Sequence, residues 1–191
     1  MKVLVACEFS GRVRDSFAAR GHDAWSCDIL PSDTPGHHIQ GDVLNVLGDG
    51  WDLMIAHPPC KYLCVGGNNW LNRRSDLDWR GNREKATEFF MAFINAPIPR
   101  IAVENPIGVM STRYRKPDQI VHPFMFGHDY RKDTCLWLKG LPKLVPTKMI
   151  GPPYKKLDFW SDKRNPNGRS LKSVTFSGIA AAMAEQWGGL P

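Results

Sequence analysis

At 191 residues, with 42% hydrophobic and 23% charged side chains, the chain has the composition of an ordinary globular protein. It makes one domain, or one domain with an elaborated segment, and is long enough to bury a core without staples. No apolar run approaches the roughly 20 residues of a membrane helix. The opening run, Val3 to Cys7, is too short for a secretory signal, and five scattered cysteines argue against a disulfide framework and for a reducing, cytoplasmic setting. A net charge of +6 favours an anionic partner such as nucleic acid or a nucleotide, and the excess is concentrated late: Lys139 to Lys172 holds nine Lys or Arg against two Asp.

In chain order, Val3 to Cys7 predicts a buried strand, and Gly11 to Arg20 a helix that Gly21 terminates. His22 to Cys27 predicts a second strand ending at Asp28. Residues 31–38, with two prolines, a glycine and two histidines, predict a loop. Val43 to Leu47 predicts a short helix. Asp52 to Ala56 is an apolar run stopped by His57-Pro58-Pro59. Residues 61–82, rich in Gly, Asn and Arg, predict a long loop. Ala86, Phe89, Phe90 and Phe93 are spaced as one face of a helix over Arg83 to Asn95. Ile101 to Val103 predicts a strand ending at Glu104-Asn105-Pro106, Thr134 to Leu138 a late strand, and Ser177 to Trp187 a closing helix. Strands and helices alternate, which predicts an α/β, Rossmann-like fold, a mainly parallel sheet with helices on both faces. Ligands of such folds bind outside the carboxyl ends of the strands. Glu8 to Gly11, Asp28, Asp42, Cys60 and Glu104 all fall at those ends.

The loop CEFSGRVRD after the first strand has one glycine and fails the three-glycine dinucleotide pattern. Asp28 lies where an acid can bind ribose hydroxyls, so the pair reads either as a nucleotide-type cofactor site or as a tight turn followed by a capping acid. Cys60, behind two stiffening prolines, reads as a packed thiol or a nucleophile. With Glu104 across the same crevice, and no histidine placed as base by any motif, the pair suits attack on an electron-poor ring with the acid protonating a ring nitrogen. His57, Cys60, Cys64, His122, His128 and Cys135 form no pair of two-ligand knuckles, which predicts no structural zinc.

Pro58-Pro59-Cys60 followed by Glu104-Asn105-Pro106 resembles the catalytic motifs of the S-adenosylmethionine-dependent DNA cytosine carbon-5 methyltransferases. Further stretches follow that family's order. Phe9-Ser10-Gly11 resembles its first cofactor motif, Asp28 its ribose-binding acid, and Gly41-Asp42 the turn that meets the adenine amine. Asp78 to Gly81 resembles the segment after the mobile catalytic loop, Arg131 to Leu138 a later basic motif, and Thr175 to Ile179 the final motif, which closes on the cofactor. The resemblance implies Cys60, Glu104 and Arg131 as catalytic residues. It implies Phe9, Ser10, Gly11, Asp28, Asp42, Pro58 and Ser177 beside S-adenosylmethionine, and Pro59, Asn105 and Arg80 against the substrate. It implies DNA as partner. Arg73, Arg74 and Arg80 are the cations expected near backbone phosphates.

The chain departs from the family in three places. Its first loop is smaller, His57 stands where the family has Gly, and Pro106 where it has valine. Only about 35 residues, Lys139 to Lys172 with Tyr154, Phe159 and Trp160, occupy the place of a target-recognition domain. Basic plus aromatic reads as a base-stacking surface or as a solvated loop with anchoring aromatics. So compact an enzyme is phage-like. The same chemistry on a free pyrimidine nucleotide or RNA stays open, as does a non-catalytic nucleic-acid-binding protein. An exocyclic amino methyltransferase is disfavoured, because neither His57 nor Cys60 suits its turn. Among the other residues, Cys64 reads as a spectator and Cys7, Cys27 and Cys135 as packing. Phe9 reads equally as core, and Asp42 as a helix cap.

Overall fold

The computed structural model describes residues 1–65, 77–156 and 173–190. The strands are β1 (Lys2–Ala6), β2 (Asp23–Asp28), β3 (His38–Gln40), β4 (Leu53–Ala56), β5 (Arg100–Pro106), β6 (Gln119–Val121), β7 (Tyr130–Arg131), β8 (Thr134–Lys139) and β9 (Lys155–Lys156). The helices are α1 (Arg12–Ala18), α2 (Leu77–Ile94), α3 (Met110–Arg113) and α4 (Ser177–Gly188). Seven strands form one sheet in the order β3-β2-β1-β4-β5-β8-β6. The pairs from β3 to β5 are parallel, and β8 runs antiparallel to both β5 and β6.

Alternate residues of the central strands feed two cores. Val3, Val5, Leu53, Ile55 and Ala102 pack against Val13 and Phe17 of α1 and Ile179, Ala180 and Met183 of α4. Leu4, Ala6, Met54, Ala56, Ile101 and Val103 pack against Phe90 and Phe93 of α2. Both faces are therefore covered, which is why these strands read as continuous apolar runs. The fold is the α/β, Rossmann-like one that the alternation predicts. Strand order reverses direction at β1, between its neighbours β2 and β4. That is the switch point beside which such sheets open a crevice.

Three features differ from the sequence expectation. β3 lies at the end of the stretch read as loop, held by only three residue pairs on the sheet edge. α2 starts at Leu77 rather than near Arg83. Its first turns lean on the chain after β4: the Arg83 Nε donates to the Tyr62 carbonyl at 2.9 Å, and Trp79 meets Tyr62 edge-on at 4.7 Å. Tertiary contact, not apolar periodicity, extends that helix. The described part of the basic segment, residues 139–156, is also docked. The Gln119 amide exchanges hydrogen bonds with the Leu144 backbone at 2.7 and 2.8 Å, and Gln186 does the same with Val145. Tyr154 stacks on Phe124 at 4.3 Å, and Phe124 on His122 at 4.9 Å. Arg73, Arg74, Phe159 and Trp160 lie outside the described residues.

Candidate active site

The turn after β1 spends its polar groups internally. The Glu8 carboxylate is 5% exposed and accepts from the Val13 N–H at 2.7 Å and the Arg14 N–H at 3.1 Å, with the Ser10 hydroxyl donating at 3.2 Å. A buried anion thus caps α1, where unpaired N–H groups and the helix dipole favour negative charge. Gly11 enters the helix at φ 72°, and its Cα packs against the Thr34 hydroxyl and the Arg14 guanidinium. Only glycine suits both demands. Arg14 is 1% exposed and holds the 31–38 loop through Ser32, Thr34 and Pro35. Cys7, expected as strand packing, instead leaves the strand at φ 58° and lines a hollow with Glu8, Phe9, Ser10, His57, Ser173 and Thr175.

Asp28 and Asp42 end the next two strands on the same side. The Asp28 carboxylate accepts from the Leu30 N–H at 2.9 Å, and Ile29 beside it is 74% exposed. Asp42 caps the 3-10 turn Val43–Val46 by accepting from the Leu44 N–H at 3.0 Å. Burial first, and then these two carboxylates, push the neighbouring Cys27 thiol up to about 11.

The turn after β4 is tied to β5 by two side-chain contacts. The Asn105 amide, 2% exposed, donates from Nδ2 to the Pro58 carbonyl at 2.8 Å. His57 Nδ1 lies 3.0 Å from Glu104 Oε2, with side chains 9% and 16% exposed. Pro58 is buried, while Pro59 and Cys60 are exposed. Burial pushes the Glu104 carboxyl up, but the His57 hydrogen bond and the Lys132 and His57 charges outweigh it, and the carboxyl stays below its ordinary range. His57 Nε2 and Asn105 Oδ1 are buried without a hydrogen-bond partner among the described residues.

Cys60 opens a tight turn in which the Leu63 and Cys64 N–H groups both donate to its carbonyl, at 3.0 and 2.9 Å. The neighbouring Cys64 thiol, the surrounding protein and the Glu104 charge raise the Cys60 thiol well above its ordinary value, and Lys132 opposes them. Cys64, read in the sequence as a spectator, is the first of the groups that raise the Cys60 thiol. A second hollow holds Glu104, Lys132, Thr134, Thr175, Phe176, Ile179 and Met183. Thr175 belongs to both hollows, so the chain entering α4 forms the wall between them. Ser177 is exposed at the start of α4, where His128 Nε2 accepts from the Gly178 N–H at 3.0 Å.

The structure brings Phe9, Ser10, His57, Cys60, Glu104 and Thr175 to one end of the sheet, and Asn105 serves there as a tie between the two motifs. Arg131 is 65% exposed and faces Asp133 at 3.9 Å. Its neighbour Lys132, within the stretch read as a later basic motif but not singled out there, is a cation that acts on both Cys60 and Glu104. Arg80 is exposed on α2. The signal for His57 was present in the sequence as the imidazole standing in place of glycine. Nothing local distinguished Lys132 from Arg131. Among the described residues no cluster of three His, Cys, Asp or Glu side chains is arranged to hold a metal, and no helix is long and apolar enough to cross a membrane.

A solved structure described as a candidate DNA modification methyltransferase encoded within a prophage (E. coli) matches the chain with a TM-score of 0.50 at 15% sequence identity. The match covers 78% of this chain and 51% of that one, so the chain spans about half the length of that protein. No family model and no curated protein sequence matches the chain. At this identity the likeness establishes a shared fold.

Proposed function

We propose that the chain transfers a methyl group from S-adenosylmethionine to carbon 5 of cytosine in DNA, through a covalent adduct on Cys60. The observation that carries this reading is an exposed Cys60 on the turn after β4, a turn tied to β5 by His57 on a half-buried Glu104 and by Asn105 on the Pro58 carbonyl. The shared fold supports the methyl-transfer part, since the matched protein is described as a DNA modification methyltransferase. The net charge of +6 supports a polyanionic substrate.

The residues present fit the cofactor. The exposed Ile29 next to Asp28 offers an apolar face beside a carboxylate, as a ribosyl-adenine needs, and the hollow beside β1 is lined by His57, whose Nε2 is buried with no partner among the described residues. Phe9, Asp28, Asp42 and the Thr175 to Ser177 segment would hold S-adenosylmethionine, whose sulfonium supplies an electrophilic methyl. Cys60 resides as a thiol at rest, so it reacts only once its proton has left and Lys132, with any further positive charge, stabilises the thiolate.

The thiolate forms a bond to cytosine carbon 6, and the ring electrons move toward carbon 5 as Glu104 binds or protonates ring nitrogen 3. Carbon 5 would then take the methyl group as the methyl carbon–sulfur bond breaks and S-adenosylhomocysteine is left. A base then removes the carbon-5 proton, the carbon 6–sulfur bond breaks, and the electron pair returns to Cys60. In a duplex the base must first leave the stack, at a cost of a few kcal/mol.

The test is trapping. The protein is incubated with S-adenosylmethionine and DNA containing 5-fluorocytosine, whose fluorine cannot be removed as a proton. A covalent adduct mapped by mass spectrometry to Cys60, and absent in Cys60→Ser, is expected. An adduct on a free fluorinated nucleotide or on RNA but not on DNA would move the reading to the smaller or ribose-bearing substrate. No adduct on any of them, with S-adenosylmethionine bound, would discard the covalent mechanism and leave a nucleic-acid-binding protein.

A further inference from the structure

A glycine suffices before Pro58-Pro59 in the family that this chain resembles, and the backbone at this position demands no imidazole. Here His57 is 91% removed from solvent, lines the hollow beside β1 and contacts Glu104, which lines the other. On one side its Nδ1 meets Glu104, which lines the hollow with Lys132 and Thr134. On the other, its ring lines the hollow with Cys7, Glu8, Phe9 and Ser10, and its Nε2 is buried with no hydrogen-bond partner among the described residues. Buried polar atoms are almost always paired, so a lone one on a ring that lines a hollow calls for a partner from outside the described residues.

We infer that His57 is a positioning residue that couples the two hollows: Nδ1 orients the Glu104 carboxylate, and Nε2 is the hydrogen-bond partner of a polar group of the ligand beside β1. The identity of that ligand rests on the proposed function; the hold on Glu104 does not.

The chemistry follows from the two ring nitrogens, whose roles are linked. With the Nδ1 proton donated to Glu104, a neutral ring presents Nε2 as an acceptor, which suits an ammonium or hydroxyl of the ligand. An occupied hollow then locks the tautomer that keeps Glu104 in place. An ionised ring would present Nε2–H instead and suit a ligand oxygen. The other groups facing the pair are Glu8 from the β1 turn, Cys60 from the β4 turn, Lys132 from the segment before β8 and Cys135 from β8, whose thiol the Glu104 charge raises. Lys132 alone among them favours the ionised carboxylate. His57 is thus the hydrogen-bonding half of what keeps Glu104 charged in a buried place.

Two variants divide the ring. In His57→Asn the amide nitrogen reaches where Nδ1 sits and can still donate to Glu104; in His57→Gln the amide oxygen reaches where Nε2 sits and can still accept from the ligand. The Glu104 carboxyl is followed by 13C NMR titration, and S-adenosylhomocysteine binding by calorimetry, neither of which needs turnover. Thermal melts confirm that each variant is folded. His57→Asn is expected to leave the Glu104 titration in place and weaken S-adenosylhomocysteine about tenfold, the effect of one lost hydrogen bond. His57→Gln is expected to keep affinity within about threefold and move the Glu104 titration toward higher pH. An unmoved Glu104 in His57→Gln, with binding intact, overturns this inference alone. Equal damage by both variants to both readouts overturns it as well, since a general loosening would do that. Failure of S-adenosylhomocysteine to bind the wild-type protein overturns the reading of the hollow and the ligand half of the inference, while the Glu104 titration still decides the other half.

Discussion

Two carboxylates, Glu8 buried and Glu104 half-buried, stand at the same end of the sheet, and their surroundings differ. Glu8, after β1, accepts two helix N–H groups and the Ser10 hydroxyl. Glu104, on β5, meets the imidazole of His57, faces Lys132 and opens onto a hollow. Burial alone therefore does not mark a catalytic acid. A carboxylate engaged by backbone N–H groups is part of the scaffold, whereas one held by side chains at a cavity wall can exchange a proton with a ligand.

The largest expected effect tests the first half of that contrast. Glu8→Ala leaves two helix N–H groups unpaired and removes a charge from the helix end. It is expected to cost about 3 kcal/mol, and so to lower Tm by roughly 10 °C. Glu104→Gln should cost less than about 1 kcal/mol, since it removes no backbone partner, yet yield no adduct with 5-fluorocytosine DNA. Calorimetric melts that rank the two variants the other way would break the comparison.

Asn105→Ala comes next. It strips the Pro58 carbonyl of its donor and frees the turn that carries Cys60. A loss of about 2 kcal/mol is expected in urea unfolding, with an adduct rate about tenfold lower. Stability lost without a slower adduct would mean that the tie between β4 and β5 is structural only.

A pH series sharpens the contrast further. The folded Glu104 carboxyl lies below its ordinary 4.5. Its contribution to stability is therefore fully present above that value and is lost as pH falls through the lower folded one. The urea midpoint of wild type minus Glu104→Gln should be constant from pH 7 down to about pH 5 and shrink below it. A difference that instead grows in acid would mean that the carboxyl is held protonated.

The smallest effects separate two adjacent cations. Arg131→Ala, at an exposed pair 3.9 Å from Asp133, should change stability by less than about 0.5 kcal/mol and leave the adduct rate near wild type. Lys132→Met should raise the Glu104 titration and slow adduct formation. Stopped-flow trapping that finds the reverse order would return the basic role to Arg131.

The central strands and the α4 helix were legible in the sequence because both cores draw on them. Residues buried on alternating faces leave continuous apolar runs, and small residues at helical spacing leave a pattern. The edge strand β3 and the first turns of α2 left none. Three edge pairs need no apolar run, and Trp79 and Arg83 are held by Tyr62, a partner about twenty residues away. The candidate site divides in the same way. Pro58-Pro59-Cys60 was readable as a stiff turn bearing a thiol because its letters are adjacent, whereas Glu104-Asn105 was singled out through the resemblance of the two motifs as a pair. The roles of His57 and Lys132 were not, since each depends on what stands across the crevice, and that of Glu8 was not, since it depends on how the turn folds back onto α1.

The sequence by itself determined the fold class, the order of the strand-end turns and the types of group that those turns carry, because backbone stiffness, apolar period and side-chain chemistry are local properties. Only the tertiary structure decided which acid caps a helix and which faces a hollow, and which nitrogen of His57 is spent and which is not. The Glu8 cap depends on how the turn after β1 folds back on α1. The state of His57 depends on Glu104, 47 positions away, which the parallel pairing of β4 with β5 brings to within a hydrogen bond.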